Sequence, residues 1–230
     1  MFNVIVLCGG ESQRFWDPEA REGLKVLARV AGKPLLHHVM GQFRPHGRFR
    51  FILVAGGAAD RIKDELPDAG TFAHQVVYTG DRTQTGGRIR AVRELVRNDP
   101  FFVAYGDGLS NIDFMEMMRH HMERGMDATM AVTRADSPYG HASLKEDGTI
   151  RVFEEKPPLD AWINAGFFIL EPNVLDRMDA SMSFEGDVLP ILAREGRVSA
   201  LLHRGFWTAI DTYKDLVHLR RMPSFRSDPT

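Results

Sequence analysis

The sequence predicts an α/β fold, a doubly wound and mostly parallel sheet with a small antiparallel part in its second half. Three observations predict it: short apolar runs that stop at glycine pairs, helical spacing between those runs, and a change to closely spaced strand-like pieces from Asp127 onward.

The elements follow in order. Phe2 to Cys8 is an apolar run rich in β-branched residues and stopped by Gly9-Gly10, the pattern of a strand covered on both faces. Pro34 to Phe43 places Leu35, Leu36, Val39, Met40 and Phe43 at helical spacing, and Phe51 to Ala55 before Gly56-Gly57 makes a second buried strand. This is a βαβ unit. Gln75 to Tyr78 reads as a third strand, Gly86 to Val96 as one helix with Ile89, Val92 and Leu95 on a single face, and Phe101 to Tyr105 as a fourth strand. A helix bearing Phe114, Met117, Met118 and His121 leads to strand-like pieces at Asp127 to Thr133, Tyr139 to Leu144, Ile150 to Phe153 and Ile163 to Leu170. This half reads as more antiparallel, with a hairpin at Asp147-Gly148, where both residues tolerate positive φ. An aromatic strand from Gly205 runs into a helix around Tyr213 to Leu219. Residues 1–222 are expected to form a single domain and 223–230 a loose tail.

Composition narrows the function. The 230 residues are 43% hydrophobic and 26% charged, an ordinary globular balance. Lys and Arg total 29 against 31 acids, a net charge of −2, which supplies no basic field for gripping nucleic acid. The longest apolar run, Val4 to Cys8, is far short of the roughly 20 residues that cross a bilayer. No membrane partner is expected. The lone cysteine, Cys8, suits a reducing compartment, so the expected location is cytoplasmic.

The chemistry-bearing segments sit after strands. Gly9-Gly10 with Arg14 offers bare backbone N–H groups and a cation to phosphate oxygens, although such a pair also serves any tight turn. It fits neither the Gly-x-Gly-x-x-Gly pattern of dinucleotide folds nor a Walker loop, which removes support from a dehydrogenase or P-loop kinase. Lys25 can bring a second cation over that turn. Thr79 to Arg88 is dense in hydroxyls and glycines: either a nucleotide contact through Thr83, Gly87 and Arg88, or a capped loop with Thr85 as N-cap and Arg88 in solvent. Asp107, between Gly106 and Gly108 at a strand end, is a candidate Mg²⁺ ligand, and Asp211 is a second, with a helix N-cap as its alternative. The two lie 104 positions apart, so spacing does not pair them. Lys156 and Asn164 could hold a second substrate, against the plainer reading of Glu154-Glu155 as a solvated strand end and Gly166 as a bulge. The nine histidines lack metal-ligand spacing, and covalent catalysis has no nucleophile elbow.

Taken in order, these segments resemble the sugar-phosphate nucleotidylyltransferases, most closely the glucose-1-phosphate cytidylyltransferases. The residues that carry the resemblance are Gly9-Gly10 with Arg14, Lys25 with Gly32-Lys33-Pro34, Thr79-Gly80-Asp81 with Thr85-Gly86-Gly87-Arg88, and Tyr105-Gly106-Asp107-Gly108. Glu155-Lys156-Pro157, Ile163 to Phe168, Phe184-Glu185, Gly205-Phe206-Trp207 and Asp211-Thr212 complete the set. The resemblance implies a Rossmann-like fold, with Leu7, Gly9, Gly10, Arg14, Lys25, Thr83, Gly87, Arg88 and Asp107 on the nucleotide. Catalysis would fall to Arg14, Lys25 and Asp107, and Mg²⁺ to Asp107 and Asp211. Tyr105, Glu155, Lys156, Asn164, Gly166, Glu185 and Trp207 would serve the acceptor. The implied partners are CTP or another nucleoside triphosphate and a phosphorylated small molecule, first glucose 1-phosphate, with CMP transferred and pyrophosphate released. Self-association into a homo-oligomer is part of the same expectation.

Three departures stand out. Ser12 and Gln13 replace the usual Gly-Thr of the first loop, Val26 replaces the proline after Lys25, and the stretch from Ala58 to Val77 is short. They keep two alternatives open: cytidylyl transfer to another acceptor, such as a phosphorylated amino acid or a phosphonate, and a non-catalytic nucleotide sensor on the same fold.

Overall fold

A computed structural model describes residues 1–9, 15–17, 23–66 and 72–225. Gly10 and Arg14, with Ser12 and Gln13, lie outside the described residues.

In chain order, β1 (Phe2–Leu7) is followed by a small ribbon, β2 (Arg29–Val30) and β3 (Lys33–Pro34), then α1 (Leu35–Gly41), β4 (Phe49–Ala55), α2 (Ala59–Glu65) and β5 (Ala73–Tyr78). Next come α3 (Thr85–Ala91), α4 (Arg93–Val96), β6 (Phe101–Tyr105), β7 (Gly108–Ser110) and α5 (Phe114–Arg124). The second half contains β8 (Ala128–Thr133), the hairpin β9 (His141–Leu144) and β10 (Ile150–Glu154), and β11 (Ile163–Leu170). It closes with α6 (Leu189–Arg194), β12 (Val198–Leu202), β13 (Trp207–Ala209) and α7 (Tyr213–Arg221).

Seven strands form the central sheet in the order β12-β8-β11-β6-β1-β4-β5. The pairs β6-β1, β1-β4, β4-β5 and β12-β8 are parallel, and β11 alone runs against both neighbours. The antiparallel part of the second half consists of the reversed β11, the β9-β10 hairpin and the pairing of β13 with β7, while β8 and β12 return to the parallel direction. Buried residues of α1, α2, α5 and α7 cover one face, and those of α3, α4, α6 and the turns over 172–177 and 184–188 cover the other. Phe43 anchors the first face, stacked on Phe114 at 3.7 Å between ring centroids.

Local chemistry sets the element ends. Asp113 accepts from the amides of Met115 and Glu116 to start α5, and Gly125 at φ 58° stops it. The single helix expected from Gly86 to Val96 divides at Val92, whose φ of −108° and ψ of 20° leave the helical range. At Asp147-Gly148 only the glycine takes positive φ, 82°; the turn spans Lys145 to Gly148 and leaves one extra residue before β10. The tail expected to be loose from Pro223 opens with a turn over Pro223–Phe225. No helix among the described residues is long and apolar enough to cross a membrane.

Candidate active site

The carboxyl ends of β1, β4, β5 and β6 lie at one edge of the sheet, where ligands of parallel α/β folds bind. Two cavities open there. One, of about 360 Å³, is lined by Leu7, Cys8, Gly9, Lys25, Thr85, Tyr105, Gly106, Asp107 and Glu185 among others. The other, of about 710 Å³, shares Cys8, Gly9 and Thr85 and adds Gly56, Gly57, Asp81, Arg82, Thr83, Gln84 and Arg88.

Asp107 and Asp211 come together through a ribbon. β13 pairs antiparallel with β7, Ala209 opposite Gly108, and the amide of Ile210 donates to the Asp107 carbonyl. Both carboxylates then close on one cation: Lys25 Nζ is 2.5 Å from Asp107 Oδ2 and 3.1 Å from Asp211 Oδ1. Lys25 reaches them because Gly106 has no side chain. A Cβ there would lie 2.9 Å from Val26, which packs on the strand end. Burial alone would lower the Lys25 pKa, but Asp107 and then Asp211 outweigh it and hold the ammonium above its ordinary value. Asp211 is not an N-cap; Thr212 caps α7 and shares a capping box with Asp215.

Two carboxylates converging on one cation, beside a cavity open to phosphate oxygens and water, are the ligand set that suits Mg²⁺. Among the described residues no cluster of three or more metal-ligating side chains exists, so an ion there would complete its shell with water or substrate oxygens.

On the opposite wall a hydrogen-bonded chain joins four elements. Tyr105 Oη donates to Glu185 Oε1 at 2.7 Å, Asn164 Nδ2 donates to Tyr105 Oη at 3.1 Å, and Thr85 Oγ1 donates to Glu185 Oε2. Burial first, and the Glu185 charge second, push the Tyr105 phenol far above its ordinary value. Glu185 projects from a π-helical turn, Phe184–Val188, wound wide before Pro190. Gly166 takes φ 81° at a register break in β11, and a Cβ would strike the Tyr105 ring at 2.8 Å. It is a bulge, and the bulge lets Tyr105 fit.

Arg88 is buried, not solvated. Its Nη1 donates to Thr79 Oγ1 at 2.6 Å and desolvation lowers its pKa, while Nε has no hydrogen-bond partner among the described residues. The glycine at position 9 makes room for it, since a Cβ there would sit 2.5 Å from the guanidinium carbon. Cys8 is buried with its thiol pKa pushed up, which leaves it inert as a nucleophile.

Other expected residues fall elsewhere. Gly87 packs against Ala180, where a Cβ would meet the carbonyl at 2.5 Å, and Trp207 Nε1 donates to the Ala165 carbonyl at 2.8 Å. Glu155 and Lys156 stand exposed beside the β9-β10 hairpin and do not line the smaller cavity; Lys156 takes φ 49°. Gly56-Gly57, expected only to end a strand, also line the larger cavity, repeating the strand-then-glycine-pair signal of Gly9-Gly10.

A parallel sheet with glycine-lined cavities and an acid pair at its carboxyl edge defines a nucleotide-binding protein of Rossmann-like type. The chain belongs to the nucleotidyl transferase family, whose model matches residues 3–222. It is 33% identical over 243 residues to the probable glucose-1-phosphate cytidylyltransferase of Bacillus subtilis, covering 95% of each chain. It is 30% identical over 229 residues to mannose-1-phosphate guanyltransferase beta-B of Xenopus laevis, covering 93% of this chain and 62% of that one. The fold matches the crystal structure of HddC from Yersinia pseudotuberculosis with a TM-score of 0.76 at 23% identity, over 96% of this chain and 98% of that one.

Proposed function

We propose that the protein transfers CMP from CTP to a sugar 1-phosphate, glucose 1-phosphate first, and releases pyrophosphate. The observation that carries this reading is the meeting of Asp107 and Asp211 on the Lys25 ammonium at the edge of the cleft. Likeness to a glucose-1-phosphate cytidylyltransferase over nearly the whole chain supports the base and the acceptor.

An oxygen of the acceptor phosphate forms a bond to the α-phosphorus of CTP, and the bond to the β-phosphate oxygen breaks in line. The nucleophile is already anionic, so no general base is required; alignment and charge neutralisation supply the catalysis. Lys25 and Arg14 oppose charge on the phosphates. Asp107 and Asp211 would hold Mg²⁺, which when bound neutralises phosphate charge. Arg88, Thr83 and Gln84 offer polar groups to the nucleoside in the larger cavity, and Asn164, Tyr105 and Glu185 form a fixed wall for the acceptor.

The test is pyrophosphate release from each of four nucleoside triphosphates with a panel of acceptors in Mg²⁺. CTP with glucose 1-phosphate should give the fastest release. Release only with GTP would move the reading to guanylyl transfer, which the guanyltransferase relative favours. Glucose 1-phosphate inert beside an active alternative would move the acceptor. CTP binding without release from any acceptor would make the protein a nucleotide sensor and overturn the proposal.

A further inference from the structure

The face of the sheet that carries Tyr105 and Asn164 holds a second cluster, one that the transfer does not use. Arg134 follows β8, Trp162 precedes β11 and Arg204 follows β12. The register Ile163↔Thr133 sets Trp162 opposite Arg134, and Leu202↔Val132, continued by the His203 amide donating to the Val132 carbonyl, sets Arg204 beside Arg134. The three residues form one row across three adjacent strands. Their side chains meet: the guanidinium carbons of Arg134 and Arg204 stand 4.6 and 5.4 Å from the centroid of the Trp162 ring. An indole holds a guanidinium by its quadrupole without neutralising it, so both charges remain available.

The row lies next to the acceptor wall. Asn164, two residues beyond Trp162 and so on the same face, donates to Tyr105 Oη inside the site. Two residues of strand span about 7 Å, comparable with a sugar ring and its exocyclic carbon. Counter-charge is thin there. Among the described residues Arg134 Nη1 donates to the Leu159 carbonyl at 3.2 Å and has one ion pair, at 3.4 Å with the fully exposed Asp160, and Arg204 has no ion pair. Lys156 stands on the same edge, just before the segment whose Pro157 carbonyl accepts from the Ser137 amide and whose Leu159 amide donates to the Ala135 carbonyl.

We propose that Arg134 and Arg204, held on Trp162, form a second anion subsite for an acceptor that carries a phosphate ester or carboxylate at the end remote from its reacting phosphate. Two planar guanidinium forks match either anion, and an unsubstituted hexose needs neither. The subsite rests on the reading above only in taking the cleft to hold a sugar phosphate.

The test is calorimetric binding of glucose 1-phosphate, glucose 1,6-bisphosphate and glucuronic acid 1-phosphate to the full chain with a non-transferable CTP analogue and Mg²⁺. The bisphosphate or the uronate should bind about tenfold or more tightly than glucose 1-phosphate, and which of the two gains most separates phosphate from carboxylate. That advantage should vanish in an Arg134→Ala/Arg204→Ala variant and shrink in Trp162→Leu, with glucose 1-phosphate binding unchanged. Equal binding of all three, no binding of any, or an advantage retained in the double variant overturns the subsite. Should the double variant not fold, Arg204→Gln alone decides, since its side chain is exposed. Pyrophosphate release read in parallel keeps the two proposals apart: preference without release refutes the transferase, and release without preference refutes the subsite.

Discussion

The two walls of the cleft are built on different physics. At one, Lys25 joins Asp107 and Asp211 by ion pairs, the one to Asp211 also a hydrogen bond; Lys25 and Asp107 are largely shielded and Asp211 is 76% exposed. At the other, Thr85, Glu185, Tyr105 and Asn164 are fixed by hydrogen bonds across four elements in half-buried surroundings. The arm to the exposed Asp211 is weakly held and can re-form around an incoming cation or phosphate. A buried hydrogen-bonded chain cannot move without leaving a polar group unpaired, at about 1–3 kcal/mol. Under the proposed function, the adaptable arm would meet the reacting phosphates and the rigid wall would set substrate shape.

The largest effect expected from breaking this contrast is at the charged wall. Asp107→Ala should lower turnover roughly a hundredfold or more, since metal and cation clamps contribute several kcal/mol to such barriers. Near-normal turnover at saturating Mg²⁺ would remove Asp107 from the chemistry. Gly9→Ala comes next, because Gly9 borders both cavities and a Cβ would overlap the Arg88 guanidinium. Denaturant unfolding should show a loss of about 1–3 kcal/mol from overpacking, with a raised KM for the nucleotide. An unchanged KM would show that Arg88 does not shape the nucleotide cavity.

The smallest effect sharpens the rigid wall. Tyr105→Phe should cost about 1–3 kcal/mol in unfolding free energy and raise the KM for the acceptor more than that for the nucleotide. It also carries a pH signature. The phenol is held neutral in the fold, by burial first and by Glu185 second, whereas the unfolded chain ionises it near pH 10. Its contribution is complete below pH 10 and falls as pH rises from there toward the folded value. The phenylalanine variant should therefore give a flatter stability profile above pH 10. A residual decline should remain, because the Lys25 pKa is also raised. Identical alkaline slopes in the two proteins would contradict the burial of that hydroxyl.

Strands were the most legible feature. β6 and β11 fall on the expected bounds, because buried parallel or central strands leave continuous apolar runs that only glycine or polar residues end. The helix from Gly86 was misread in its middle, since apolar spacing is blind to the backbone break at Val92. Asp107 stood out between its glycines. Thr85 did not: its local sequence reads as a cap, and its partner Glu185 lies 100 positions away. Arg88 was open between solvent and site, and burial beneath Gly9 is a property of the packed sheet edge.

By itself the sequence determined a doubly wound sheet with glycine-marked strand ends and the residue types able to bind phosphate and metal, because hydrophobic period and backbone freedom are local. Tertiary structure alone decided that Lys25 joins Asp107 to Asp211, that Tyr105 links Asn164 to Glu185, and that Arg134, Trp162 and Arg204 stand in one row. Those contacts depend on strand order and register across the sheet, and neither is encoded in the spacing of residues along the chain.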